Sequence, residues 1–172
     1  GSDTWKYLAN YSAPTDTNWR NPGFNDAGWA NGAGGIGYGD NDDNTVISPC
    51  VSLYMRKIFS VTDSTKIADA ILNMDYDDAF VAYLNGTEIA RSNIGVAGNR
   101  PSWNDIADGQ HEAVMYQGMN PDSFQLSMHL IRSILVNGNN VLAIEVHNLA
   151  ANNVDMSAIP FLSFKMSDAT SM

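Results

Sequence analysis

At 172 residues with 44% hydrophobic side chains, the chain is long enough to close one sizeable core without needing a metal or a disulfide merely to fold. Nineteen Asp and Glu against nine Lys and Arg leave a net charge of −10 with no basic run, so nucleic acid and anionic membrane are poor partners, because both demand clustered cations. Charged residues make up only 16%, and turn-forming Asn, Asp, Ser, Thr and Gly carry the remaining polarity, which reads as an all-β chain of short strands and elaborate loops.

Gly1 and Ser2 read as the remnant of a tag, residues 3–167 as a single domain, and residues 168–172 as a tail or the start of a linker. No stretch of 18 apolar residues occurs, so membrane insertion is not expected. Up to residue 50, turn sequences such as Asn21-Pro-Gly23 are interrupted by Trp5, Tyr7, Trp19, Phe24, Trp29 and Tyr38, aromatics suited to pin an extended segment onto a sandwich. The lone Cys50 excludes an internal disulfide and reads as a small buried hydrophobe. Residues 53–61 and 67–74 alternate with the period of two that marks strands. Ala79–Leu84 is apolar on both faces, as in a covered central strand, and Asn85-Gly86 turns it into residues 87–91, the strongest short hairpin signal in the chain.

Residues 93–109 form a long irregular connection around Trp103, of a length that is usually functional or mobile. Strands are expected again near residues 111–115 and 123–127, with a short helical turn over 129–135. The sequence Asn137-Gly-Asn-Asn140 turns the chain into a strand over 141–147, and a last strand covers 159–166. In the strand over 141–147, Leu142, Ile144 and Val146 face the core while Ala143, Glu145 and His147 face the other way. That sets a carboxylate beside an imidazole on a face whose exposure the sequence leaves open.

Three stretches carry a resemblance: Tyr54-Met-Arg-Lys-Ile-Phe-Ser-Val61, Leu72-Asn-Met-Asp-Tyr-Asp-Asp-Ala-Phe-Val-Ala-Tyr-Leu-Asn-Gly-Thr-Glu-Ile-Ala-Arg91, and Asn137-Gly-Asn-Asn-Val-Leu-Ala-Ile-Glu-Val-His147. With the upstream Trp19-Arg20, Phe24-Asn-Asp-Ala-Gly-Trp29 and Gly37-Tyr-Gly-Asp40, they resemble the galactose-binding-domain-like jelly rolls, similar to carbohydrate-binding modules, of secreted bacterial proteins. The resemblance covers residues 4–165 and implies a β-sandwich jelly roll of about eight to ten strands. It also implies a non-catalytic, extracellular accessory module that binds a glycan or polysaccharide, sits beside neighbouring domains of a longer polypeptide, and carries calcium in many cases. The alternative is a structural or protein-docking sandwich without a sugar site.

The run Asp40-Asn-Asp-Asp-Asn-Thr45 places oxygen ligands at alternate positions, and Asp40, Asp42 and Asn44 are the candidate calcium ligands. It departs from an EF-hand where glycine is required, at Thr45, and at the last ligand position, held by Val51; a solvated acidic turn is the other reading. Asp75 and Asp77 share one face ahead of the central strand, and the resemblance makes the Asp77-Asp78 stretch a turn feature, so hydrogen bonding or ligand contact is expected there rather than catalysis. Gly32-Ala-Gly-Gly-Ile-Gly37 matches a dinucleotide fingerprint in spacing only, because no helix follows it. No nucleophile elbow and no metal-spaced histidines occur, so no enzyme is expected. Trp103 is suited to stack on a sugar ring or to fold back as a cap, and Asp77, Glu145 and His147 are the candidate partners of sugar hydroxyls.

Overall fold

Alternation of apolar and polar positions dictates where each strand buries its side chains, and two sheets meet over those buried faces. The computed structural model describes residues 3–10, 14, 16–39, 41 and 43–167. Its strands are β1 (Thr4–Asn10), β2 (Ala30–Ala33), β3 (Ile36–Tyr38), β4 (Thr45–Val46), β5 (Ser52–Val61), β6 (Ile67–Asp77), β7 (Ala79–Leu84), β8 (Thr87–Ser92), β9 (Asp122–Gln125), β10 (Gly138–His147) and β11 (Met156–Met166). A short helix, α1 (Met128–Ile134), precedes β10. A six-stranded sheet has the order β2-β1-β5-β10-β7-β8 and a five-stranded sheet the order β4-β3-β11-β6-β9. From β5 onward the chain changes sheet at nearly every connection, which makes the sandwich a jelly roll. The described strands number eleven, beyond the expected eight to ten, because the first fifty residues contribute the short β2, β3 and β4.

The inner faces interdigitate as the period of two requires. Leu53 and Met55 of β5, Phe80, Ala82 and Leu84 of β7, and Leu142, Ile144 and Val146 of β10 meet Leu72, Met74 and Tyr76 of β6 with Met156 and Ala158 of β11. At the hairpin between β7 and β8, Asn85 and Gly86 take φ of 50° and 87°, the left-handed pair a two-residue turn demands. The glycine-rich run 32–37 serves close packing: a Cβ at Gly37 would collide with the Met156 carbonyl, and one at Gly32 with Thr45.

The outer face of the six-stranded sheet is covered rather than open. Tyr54, Val81, Tyr83, Val141 and Ala143 pack beneath Trp19, Trp29, Ile94 and Ala107, so the segments 16–29 and 93–109 lie over the sheet. Arg56 fastens the first of these: its guanidinium is buried, donates to the carbonyls of Trp19 (2.6 Å) and Asn21 (3.3 Å), and pairs with Asp26 at 3.4 Å. The expected strand at 111–115 is not formed. The amides of His111, Val114 and Met115 donate instead to the carboxylates of Asp78 and Asp75, at 3.0, 2.8 and 2.9 Å, and side-chain acceptors take the place of a neighbouring strand. No helix among the described residues is long and apolar enough to cross a membrane.

Candidate functional site

Trp103 lies where the long loop crosses the outer face. It is half-buried against the outer aromatic cluster and also lines a recess of about 200 Å³ with Trp19, Tyr54, Arg100 and Glu145. Such a volume is below the roughly 300–1,000 Å³ of a pocket for a drug-sized ligand, so it suits one ring rather than a chain buried along its length. Glu145 reaches its floor from β10, where its Oε1 accepts from the Tyr83 hydroxyl at 2.5 Å. Burial, followed by the charge of Glu145, raises the Tyr83 hydroxyl pKa well above its ordinary value, which keeps the phenol a donor.

His147 is fully buried beneath the same loop. Its Nδ1 lies 2.8 Å from the Asp105 carbonyl, which only accepts, so this nitrogen carries a hydrogen and ties the loop to the sheet. Nε2 faces Glu145 Oε2 at 3.6 Å. The residues thus gather unevenly: Trp103 and Glu145 share a recess, His147 sits behind them as a loop anchor, and Asp77 lies on the other sheet. Arg100, three residues before Trp103, carries no local signal that marks it, and Trp19 and Tyr54 are distant along the chain and meet Trp103 and Glu145 only in the folded sandwich.

The three carboxylates of the Asp75-Tyr-Asp-Asp78 stretch have separate tasks. Asp75 and Asp78 hold backbone amides, Asp78 also accepting from the Leu149 amide (2.7 Å) and the Asn153 side chain (3.1 Å). Asp77 points elsewhere. One carboxylate oxygen from each of Asp77, Glu112 and Asp155 lies within 4.8 Å of the others, a spacing that could hold a metal ion. Asp77 is 2% exposed, and its Oδ1 has no hydrogen-bond partner. Burial first, then the neighbouring charges of Asp78, Asp155 and Glu112, push its carboxyl pKa up to about 8. Of the acidic run proposed from sequence, Asp40 and Asp42 lie outside the described residues, and the Asn44 amide donates to the Gly34 carbonyl at 2.7 Å.

No family model matches the chain, and no curated protein sequence matches it. Solved structures do. A glycosyl hydrolase family 2 member from Bacteroides cellulosilyticus DSM 14838 superposes with a TM-score of 0.52 at 15% identity, over 96% of this chain and 20% of that one. The likeness is one of fold. A beta-glucuronidase from an uncultured Clostridium sp. aligns over 84% of this chain and 21% of its own, at 17% identity and a TM-score of 0.49. A calcium-binding mutant of Bacteroides uniformis beta-glucuronidase 2 aligns over 91% and 17%, at 17% identity and a TM-score of 0.48. The chain therefore spans about a fifth or less of the solved chains it matches, and the family 2 member carries the same sandwich as one part of a larger polypeptide.

Proposed function

We propose that this chain is a non-catalytic accessory module of an extracellular bacterial carbohydrate-active protein, and that it binds carbohydrate reversibly at the Trp103 recess. The observation that carries the reading is the recess itself: an indole and a phenol wall, a guanidinium and a carboxylate converge on a volume of about 200 Å³. The half-exposed Trp103 face accepts the apolar C–H face of a sugar and Arg100 offers donors to its hydroxyls, above the buried Glu145, Tyr54 and Trp19. The occurrence of this fold as one part of a glycosyl hydrolase agrees with an accessory role.

Calcium belongs to the same proposal, with Asp77, Glu112 and Asp155 as its protein ligands in place of the run at 40–45. A bound cation would supply a charge that neutralises the buried Asp77 and ties the loop bearing Glu112 to the sheet. A structural or docking module is the second reading. It is favoured by one observation: Glu145 and His147 are buried and bonded within the chain. Screening the domain on a glycan array separates the two, because saturable binding is expected only for the first, and an array without a single binder would leave the structural module.

A further inference from the structure

An acidic chain of net charge −10 should repel anions, yet three of its five arginines line one recess. This recess, about 720 Å³, runs along the outer edge strand β8 and is bounded by Arg20, Tyr83, Glu88, Arg91, Gly98 and Arg100. Its charges do not cancel. Glu88 is its only carboxylate and is already satisfied: it accepts from Arg91 Nε (3.0 Å), Arg91 Nη2 (3.1 Å) and the Gly98 amide (3.0 Å). Arg91 also donates to the carbonyls of Ile94 and Asn99, so the Arg91–Glu88 pair is a brace for the loop. Arg20 and Arg100 remain.

Neither forms an ion pair among the described residues. Arg20 lays its guanidinium over the Tyr83 ring at 4.6 Å from the centroid, and its Nε is buried without a hydrogen-bond partner. Stacking on an aromatic face leaves the planar fork of a guanidinium free to accept a carboxylate edge-on. Among the described residues Arg100 makes one long hydrogen bond, 3.4 Å to the Thr17 carbonyl, and it lines both this recess and the Trp103 recess. Two unpaired guanidinium groups are too few to hold a nucleic-acid backbone in an acidic protein, but suffice for one carboxylate.

We propose that the Arg20–Arg100 recess selects acidic glycans, with the two guanidinium groups receiving the carboxylate of a uronate residue next to the sugar held at Trp103. The inference rests on the carbohydrate-binding reading and narrows its ligand class. Titration calorimetry with oligogalacturonate, alginate and hyaluronan oligosaccharides, beside methyl-esterified oligogalacturonate and dextran sulfate, tests it. At least one uronate should bind ten times more tightly than the neutral ester, and more weakly as NaCl rises. Arg20→Gln, at a position outside the Trp103 recess, should lose most of that advantage while binding of the ester is unchanged; Arg100→Gln, at an exposed position, should weaken both ligands, the uronate more than the ester.

Equal affinity for acid and ester, or an unaltered preference in the folded variant, would overturn the proposal. So would silence from all three uronates, or binding confined to dextran sulfate. If neutral glycans still bind in any of these cases, the carbohydrate reading survives; if no glycan of either kind binds, both fall.

Discussion

Asp77 sets a pH dependence of stability that the structure allows to be worked out. Its folded carboxyl titrates at about 8, raised by burial and by three neighbouring carboxylates, against about 3.9 in an unfolded chain. Between those values the folded state holds one proton more than the unfolded state, so stability falls as pH rises, by at most about 1.4 kcal/mol per pH unit. The contribution is fully present below about pH 4 and lost as pH passes through about 8. From pH 5 to 7 the loss is of the order of 2–3 kcal/mol, or roughly 5–10 °C of melting temperature in a domain of this size. A cation on Asp77, Glu112 and Asp155 replaces the proton, so calcium should flatten the slope and stabilise most at high pH. Thermal melts at pH 5, 6, 7 and 8, in chelator and in millimolar calcium, should therefore converge at low pH and diverge at pH 8. Asp77→Asn removes the titrating group and should flatten the chelator series; Glu112→Gln, at an exposed position, should shrink the calcium shift. Parallel pH series for wild type and Asp77→Asn in chelator would refute the reasoning, since another group would then carry the slope.

Arg56→Ala strips two buried carbonyls of their donor and leaves Asp26 without its partner; urea denaturation should show a loss of about 2–4 kcal/mol. The domain should give only background rates with chromogenic glycosides, esters and phosphate esters, and turnover abolished by Glu145→Gln or Asp77→Asn would overturn the non-catalytic assignment.

What the sequence made legible follows the strength of its local signals. The central strands and the Asn85-Gly86 hairpin carry period-two patterns or turn chemistry that tertiary context does not override, and they stand as β5, β6, β7 and β8. Residues 111–115 also look strand-like. Their amides are claimed by Asp75 and Asp78, acceptors more than thirty residues earlier that no local pattern announces. Burial of Glu145 and His147 was hidden for a similar reason, because alternation shows which face a residue takes and not what lies over that face. Trp103 was visible as an aromatic in a long polar loop. The aromatic wall beside it was not, since Trp19 and Tyr54 come from distant parts of the chain. The same holds for Glu112 and Asp155, which join Asp77 only across the strands and loops of the five-stranded sheet.

Stacking on Trp103 is the contact on which the proposed function turns. A module that binds a small sugar with Kd near 1 mM has only about 4 kcal/mol in total, so removing one aromatic wall brings binding below detection. The ring is half-buried, so its truncation should also lower stability, by about 1–2 kcal/mol, less than the roughly 3–5 kcal/mol of a fully buried tryptophan. The decisive measurement is calorimetric titration of wild type and Trp103→Ala with the best array glycan, at a temperature where melting curves show both folded. Saturable binding by the wild type and none by the variant is expected; equal affinity in the two proteins would rule out stacking at Trp103 as the binding contact.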